Sequence, residues 1–128
     1  GVDGIEAAIE RGLAYREAGA DMIFPEGLRS EEEFAQFGEQ CPGLLLANMT
    51  EFGKTPHIHT SKFEELGYNL VIYPVTFQRV AMGAVTSCLK QLLQEGTAEG
   101  FETKMQTRQE LYDLLGYVPG EEWRFSNK

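Results

Sequence analysis

The sequence has few of the residues that build metal sites, disulfide frameworks and nucleic-acid surfaces. Its 128 residues include two cysteines, two histidines, and 11 lysines and arginines against 20 aspartates and glutamates, for a formal net charge of -9. Cys41 and Cys88 show no Cys-x-x-Cys or Cys/His ligand spacing, and the pair His57 and His59 has no further metal ligands in the pattern. The negative charge argues against a nucleic-acid partner. A reducing, intracellular setting fits both thiols.

Long apolar runs are also absent. No run approaches the roughly 20 residues that a membrane-spanning helix needs, and the opening residues carry no signal-peptide pattern. We therefore expect a soluble protein without a membrane partner. The expected location is the cytoplasm, or the mitochondrial matrix if the source is eukaryotic.

Three short apolar segments, separated by helical patterns, are the main feature of the first two thirds of the chain. They start near residues 21, 44 and 70, and we interpret each as a strand buried on both faces of a sheet. Strands that alternate with helices at this spacing are typical of β-α units with a parallel sheet. The sequence therefore predicts an α/β fold.

Short polar motifs mark the predicted helix starts. Three capping boxes, in which a polar residue is followed three positions later by Glu, are Asp3 with Glu6, Ser30 with Glu33, and Thr107 with Glu110. Thr60 or Ser61 is expected to cap a brief helix between the second and third strands. Cys41 precedes Pro42 and is expected in a loop.

Two helices carry apolar stripes. In the first helix the stripe consists of Ile5, Ala8, Ile9 and Leu13. The longest helix is predicted from Thr76 to just before Gly96, with a stripe of Phe77, Val80, Ala81, Ala84, Val85, Cys88, Leu89 and Leu92. The first stripe lies on one face of its helix, and we assign the second to the core or a subunit contact.

Two arrangements of a parallel sheet are possible at this point, an open doubly wound sheet and a closed barrel. An open doubly wound sheet usually has a glycine-rich phosphate loop after its first strand, and none is present. A (β/α)8 barrel places its functional side chains where strands end, and those positions hold Glu26, Asn48 with Thr50, and Tyr73 with Pro74 and Thr76. Three strands cannot close a barrel, so this interpretation requires further residues before Gly1.

Asn48 and Thr50 follow the central strand with complementary hydrogen-bonding groups. The Asn48 amide offers N–H donors and the Thr50 hydroxyl offers an O–H donor, so the two could bind a carboxylate without adding charge. Asn and Thr in such positions also commonly cap the next turn. For Glu26 we favour a functional role, because a carboxylate directly after an apolar strand needs a buried partner; capping of the following turn is the alternative.

Several segments, in order along the chain, resemble the 2-methylisocitrate lyase branch of the isocitrate lyase and phosphoenolpyruvate mutase superfamily. They are AGADMIFPE at 18–26, LANMTEFGKTP at 46–56, YPVT at 73–76, RVAM at 79–82 and MQTRQELY at 105–112. The resemblance implies the C-terminal part of a (β/α)8 TIM-type barrel, its last three β/α units plus C-terminal helices. Residues 1–128 would form a single partial barrel domain, with a helix and three strand-helix units to about residue 96 and a helical tail over 97–128.

The resemblance also implies an activity. Enzymes of this branch cleave a carbon–carbon bond of 2-methylisocitrate in retro-aldol fashion to give pyruvate and succinate, with Mg2+ or Mn2+, in the methylcitrate cycle of propionate catabolism. The matching glutamate implies a catalytic role for Glu26 in the outer metal shell, through water. Asn48 and Thr50 would hold the carboxylate of the succinate part, and Pro74 and Thr76 are further substrate-binding candidates.

Part of the family pattern is missing. The metal-binding aspartates and the catalytic cysteine loop belong to the earlier half of such barrels, and neither Cys41 nor Cys88 matches that cysteine. The main metal ligands are therefore expected outside this chain, and the chain alone is expected to be inactive. The resemblance further implies a homotetramer formed through the C-terminal helices. For Arg79, an anion-binding role and a structural ion pair have equal weight.

Two kinds of alternative remain. One is a related superfamily enzyme, such as an oxaloacetate decarboxylase, a phosphonopyruvate hydrolase or an isocitrate lyase. The other is a non-catalytic half-barrel that acts as an assembly module, because exposed strand edges favour association.

Overall fold

A computed structural model describes residues 3–122, so residues 123–128 of the predicted helical tail lie outside the described part. The elements are α1 (Gly4–Glu17), β1 (Met22–Ile23), α2 (Glu31–Gln40), β2 (Leu44–Asn48), α3 (Thr60–Glu65), β3 (Leu70–Ile72), α4 (Thr76–Glu95), a 3-10 helix (Glu99–Lys104) and α5 (Arg108–Leu115). The chain divides into two compact units, residues 1–82 and 83–128. The predicted boundary near residue 96 stays a prediction. No helix within residues 3–122 is both long and apolar enough to cross a bilayer.

The three strands form one parallel sheet in the order β1-β2-β3. Ile23 pairs with Leu45, and Asn48 pairs with Ile72. The α/β prediction is therefore confirmed, and the strands begin where the sequence placed them. Because all three strands run the same way, the residues that follow them gather at one edge of the sheet.

The strands are not buried on both faces as predicted: β2 is buried on alternate residues, and no residue of β3 is buried. In β2, Leu45 and Ala47 are 1% exposed, whereas Leu44 is 47% exposed. Leu70 in β3 is also 44% exposed. Side chains alternate across a strand, so one face of the sheet packs against the core and the other face is open among residues 3–122. An apolar run in the sequence does not distinguish a strand buried on one face from a strand buried on both, because the residues are apolar in either case.

Aromatic packing dominates the core of the first unit. Phe34, Phe63 and Tyr68 meet pairwise edge to face, with ring centroids 5.0–5.5 Å apart. The Tyr68 hydroxyl donates to the Phe34 carbonyl at 3.3 Å, and burial raises the pKa of Tyr68. Cys41 is fully buried in the same core. Its predicted loop position is confirmed, because Cys41 lies in the bend between α2 and β2, with its side chain in the core.

The predicted helix starts have mixed outcomes. The capping box of Thr107 and Glu110 is confirmed. Ser30 accepts from the Glu33 amide as predicted, but the Glu33 carboxylate accepts from the Arg29 amide at 2.6 Å.

The other two predicted caps have different outcomes. Asp3 occupies the N-cap position of α1 as predicted, but its side chain makes no capping bond and accepts instead from Arg11 at 3.2 Å. The cap of α3 is His59, which accepts from the Ser61 amide, and not Thr60 or Ser61.

Helix α1 packs through a glycine. Gly12 is buried, and a Cβ there would lie 2.9 Å from the Phe37 ring and 3.0 Å from the Cys41 sulfur. Leu13, on the apolar stripe of the first helix, is instead 45% exposed. The hydrophobic spacing placed Leu13 on the same face as the packed residues of α1. The close contact of α1 with α2 is instead made at Gly12, where there is no room for a side chain.

Helix α4 has the predicted bounds, and Gly96 follows it with φ of 71°. None of its residues is buried, and Cys88 is half-buried. The assignment of its stripe to the core is therefore wrong for the described residues. The alternative assignment, to a subunit contact, stays a prediction.

Two polar side chains organise the amino-terminal edge of the sheet. Arg16 donates to the Leu44 carbonyl at 2.7 Å. Asn69 accepts from the Leu45 amide at 2.9 Å and so aligns β2 with the residue before β3. The polar contacts at this edge are therefore structural.

Gly38 in α2 is expected to be intolerant of any side chain. A Cβ there would overlap the Leu66 carbonyl oxygen, which belongs to the backbone and cannot rotate away. We expect Gly38→Ala to destabilise the protein by about 1–3 kcal/mol, although Ala is the better helix former. Urea denaturation of the two proteins measures this difference.

Gly83→Ala in α4 is the matched control, because a Cβ added at Gly83 would meet nothing within 4 Å apart from the neighbouring backbone of its own helix. This change is expected to stabilise the protein by up to about 1 kcal/mol. Equal effects of the two substitutions would contradict the close approach of α2 to Leu66.

Candidate active site

Residues that the sequence singled out follow each of the three strands at the carboxyl edge of the sheet, although the cavity beside Glu26 is not lined by Asn48, Thr50, Pro74 or Thr76. Glu26 follows β1, Asn48 ends β2 with Thr50 two residues later, and Pro74 and Thr76 follow β3. Pairing extends beyond the assigned strands, because the Met49 amide donates to the Ile72 carbonyl at 2.9 Å. The backbone at this edge is therefore fixed by the sheet itself.

Asn48 and Thr50 contact each other directly. The Thr50 hydroxyl donates to the Asn48 Oδ1 at 2.8 Å, and both side chains are half-buried. A hydroxyl has one proton, so Thr50 in this arrangement orients the amide and does not itself offer a donor to a ligand. The Asn48 amide nitrogen carries the two N–H donors of the pair. The pair is thus suited to an acceptor such as a carboxylate, with Asn48 as the contact.

Glu51, the residue after Thr50, connects the loop that follows β2 to the start of α4. Its carboxylate accepts from the Thr76 hydroxyl through one oxygen and from Arg79 at 3.0 Å through the other. Arg79 also donates to the Glu51 main-chain carbonyl at 2.9 Å. The Thr76 hydroxyl, predicted to contact substrate, is therefore directed at Glu51.

These contacts favour the ionised form of Glu51. The Thr76 hydroxyl is the main cause that lowers the pKa of Glu51, followed by the Glu51 amide, with Arg79 adding to both. Burial acts in the opposite direction and is outweighed. Of the two roles considered for Arg79, the structural ion pair is the one that the geometry contains.

The next residue, Phe52, has an unusual conformation. Its φ is 62°, the only positive φ of a non-glycine residue in the described range, and its side chain is 94% exposed. A bulky residue rarely adopts this left-handed region. The Arg79 guanidinium lies over the Phe52 ring, 5.4 Å from its centroid. Contacts of Arg79 in α4 with Glu51 and Phe52 therefore hold the turn at residues 51–52.

Glu26 faces solvent and a cavity. It is exposed, and it lines a cavity of about 560 Å3 together with Phe24, Pro25 and the α1 residues Arg11 and Tyr15. The reason given for its functional role, a need for a buried partner, is therefore wrong. An exposed carboxylate beside a cavity is instead accessible to a ligand.

Residues 3–122 do not form a primary metal site. They contain no group of three or more His, Cys, Asp or Glu side chains placed to hold a metal ion. A single exposed carboxylate such as Glu26 can accept hydrogen bonds from metal-bound water, but it does not fix a coordination geometry. The described residues therefore fit an outer-shell contact and not a complete Mg2+ site.

Sequence reasoning missed Glu51 as part of this site. The residue lies within the segment 46–56 that carries the family resemblance, yet it belongs to no helical stripe or capping box. Its partners Thr76 and Arg79 are 25 and 28 residues away. The only available signal was a carboxylate in a loop at the end of a strand, which is weak alone.

Comparison with known proteins gives one consistent family. A family model described as phosphoenolpyruvate phosphomutase matches residues 1–93. The chain is 56% identical over 118 residues to the probable 2-methylisocitrate lyase 1 of Corynebacterium glutamicum, covering 91% of this chain and 39% of that protein. It is 50% identical over 119 residues to the 2-methylisocitrate lyase of Bacillus subtilis, covering 93% and 40% of the two chains.

A solved structure agrees with these relatives. The crystal structure of 2,3-dimethylmalate lyase, described as a member of the PEP mutase/isocitrate lyase superfamily, matches with a TM-score of 0.77 and 33% identity. The match covers 90% of this chain and 40% of that one. The chain thus spans about two fifths of the length of the relatives it matches.

The Glu51 contacts predict a specific dependence of stability on pH. The pKa of Glu51 lies below its ordinary value of 4.5 in the folded protein, so its stabilisation is present above that value and is lost as the pH falls through the folded pKa. We expect Glu51→Gln to lower the melting temperature at pH 7, with a smaller difference from the unaltered protein below pH 4. Melting curves of both proteins from pH 3 to pH 7 provide the measurement. A difference that is constant over this range would contradict the ionised network.

Proposed function

Because the chain belongs to the phosphoenolpyruvate phosphomutase and isocitrate lyase family, we propose that it is the C-terminal part of a 2-methylisocitrate lyase. Such an enzyme cleaves a carbon–carbon bond to release pyruvate and succinate, as part of propionate catabolism through the methylcitrate cycle. The observation that carries the proposal is the position of the Asn48 amide, oriented by Thr50 at the carboxyl edge of the sheet, in a chain 56% identical to a probable lyase.

The open face of the sheet supports a barrel. Leu44, Leu46 and Asn48 occupy alternate positions of β2 on the less buried face, opposite the core residues Leu45 and Ala47. In a (β/α)8 barrel that face is covered by the other strands, with functional side chains at its carboxyl end. We therefore assign these three strands to the last part of such a barrel.

The role of these residues is substrate recognition. The Asn48 amide N–H groups donate to the carboxylate of the succinate part, and the Thr50 hydroxyl keeps the amide in that orientation. Pro74 and Thr76, which follow β3, stay predicted substrate contacts. Neutral donors suit this task, because they bind an anion without imposing a charge on the rest of the site.

The metal is assigned mainly to other parts of the full-length protein. Mg2+ or Mn2+ would stabilise the enolate formed on bond cleavage, and its primary ligands would lie outside this chain, since residues 3–122 hold no such set. Glu26 is the residue here that would accept hydrogen bonds from the water around the metal. The chain alone is accordingly proposed to be inactive.

The assembly is proposed to be a homotetramer formed through the C-terminal helices. The exposed apolar residues of α4 support this, because Leu89 is 52% exposed and Val85 is 47% exposed although they lie on one stripe. The second unit supplies further exposed apolar side chains in α5, of which Leu114 is 72% exposed.

A second candidate is an enzyme acting on 2,3-dimethylmalate, favoured by the structural match to 2,3-dimethylmalate lyase. The two substrates differ in carboxylate number, because 2-methylisocitrate has three carboxylates and 2,3-dimethylmalate has two. Comparing both substrates with one enzyme preparation therefore separates the two functions.

The first test is an assay of the full-length protein encoded by the reading frame that contains these residues. We expect pyruvate release from 2-methylisocitrate with Mg2+, measured by coupling to lactate dehydrogenase. Glu26→Gln should lower kcat by about 10- to 100-fold, as removal of outer-shell metal contacts does. Glu39→Gln is the matched control, because Glu39 is exposed on α2, away from this edge.

Asn48→Ala is expected to raise the KM for 2-methylisocitrate by about 10- to 100-fold, because a hydrogen bond to a charged group is lost. The matched control is Asn69→Ala, which removes an amide from the opposite edge of the same sheet. It should lower stability and leave KM unchanged. A full-length protein that is inactive on both substrates would contradict the lyase function and favour an assembly module.

A further inference from the structure

Glu51 is an acidic side chain at the carboxyl edge to which the proposed function gives no task. We propose that Glu51 is a positioning residue: held by Thr76 and Arg79, it fixes the loop that carries Asn48 and Thr50 against the start of α4, and thereby sets the orientation of the carboxylate-binding amide. This inference rests on the proposed function for its substrate, and on the contacts of the chain for its mechanism.

The contacts immobilise Glu51 at both its side chain and its backbone. One carboxylate oxygen accepts from the Thr76 hydroxyl, the other accepts from Arg79 at 3.0 Å, and the carbonyl accepts from the same Arg79 nitrogen at 2.9 Å. Both partners belong to the first turn of α4. A charge-assisted bond is shorter and stronger than a neutral one, and a carboxylate at a helix start also interacts favourably with the helix dipole.

The position of Glu51 in the chain connects this anchor to the amide. Thr50 is the neighbouring residue, and its hydroxyl donates to the Asn48 side chain at 2.8 Å. A shift of the Glu51 backbone therefore moves Thr50 and loosens the hydrogen bond that orients the Asn48 amide. Misplacement of a binding group by about 1 Å can cost two orders of magnitude in rate.

Direct contact of Glu51 with substrate is the less favourable alternative. A carboxylate repels an anionic substrate, and both of its oxygens already accept hydrogen bonds within the chain. The Arg79 guanidinium compensates the charge of Glu51, so Glu51 adds no net negative charge beside the Asn48 amide.

The conformation of Phe52 supports a loop that is held under strain. A φ of 62° is sparsely populated for such a residue and persists only where neighbouring contacts enforce it. The enforcing contacts are Glu51 on its amino-terminal side and the Arg79 guanidinium over its ring. Without Glu51 the turn is free to relax, and the segment 48–52 changes shape.

The kinetic test uses the full-length protein with Glu51→Gln. We expect the KM for 2-methylisocitrate and the inhibition constant for succinate each to rise roughly tenfold, with a smaller change in kcat, because binding and not chemistry is affected. Lys62→Met is the matched control, since it breaks the surface ion pairs of Lys62 with Glu31 and Glu65. The control should leave both constants unchanged.

Thr76 decides between positioning and direct substrate contact. Thr76→Val removes the hydroxyl and should raise the succinate inhibition constant, whereas Thr76→Ser keeps the hydroxyl and should restore it. If Thr76 acts through Glu51, the double variant with Glu51→Gln is no worse than Glu51→Gln alone. Additive effects would mean that Thr76 binds substrate independently and would overturn this part of the proposal.

A second measurement separates failure of this inference from failure of the proposed function. Hydrogen exchange of the amides at 49–54 in the full-length protein should accelerate at least tenfold in Glu51→Gln and stay unchanged in Lys62→Met. An inactive parent protein would defeat the lyase function while leaving the loop anchor testable by exchange. If Asn48→Ala weakens succinate binding but Glu51→Gln changes neither binding nor exchange, the function stands and the positioning role is wrong.

Discussion

The parallel pairing of β2 with both of its neighbours is the constraint on which the rest of the first unit depends. Because Ile23 is opposite Leu45 and Asn48 is opposite Ile72, the chain leaves all three strands at the same edge. A parallel sheet also requires a crossover after each strand, and α2 and α3 supply these with Phe34 and Phe63 in the core. The core and the candidate site are therefore two consequences of one strand arrangement.

The two edges of this sheet have different kinds of polar contact. At the amino-terminal edge, Arg16 and Asn69 bond to the backbone of β2 and serve its alignment. At the carboxyl edge, the polar side chains of Asn48, Thr50 and Glu51 bond mainly to other side chains. Side-chain contacts of that kind leave amide and carboxylate groups in fixed orientations, which is the requirement for selective binding of a small anion. This difference between the two edges is the reason that we assign substrate recognition to the carboxyl edge only.

The sequence predicted most of what depends on neighbouring residues. The Thr107 and Glu110 capping box and the bounds of α4 follow from local spacing and were confirmed. Errors arose where a partner outside the local pattern decided the outcome: the Asp3 side chain, at the N-cap position, bonds to Arg11 and not to the amides of the helix start. Glu51 was missed for the same reason, because a local pattern cannot contain a partner 28 residues away.

The assignment of the site residues depends mainly on family resemblance and stays a prediction. From spacing alone, Asn48 and Thr50 could either cap the next turn or bind a ligand. The structure adds that the Thr50 hydroxyl donates to the Asn48 side chain, which leaves the Asn48 N–H groups as the donors of the pair. Burial was the least predictable property. The open face of the sheet and the exposed stripe of α4 read as core in the sequence, because an apolar residue looks the same whether its neighbour is in this chain or elsewhere.

The central claim is that this edge of the sheet holds a substrate carboxylate through Asn48. A crystal structure of the full-length protein with succinate tests it most directly. We expect a succinate carboxylate within hydrogen-bond distance of the Asn48 amide nitrogen, with the Thr50 hydroxyl still on the Asn48 Oδ1 and the contacts of Glu51 with Thr76 and Arg79 intact. Succinate bound away from Asn48, or bound at Arg79 with the Glu51 contacts broken, would contradict it.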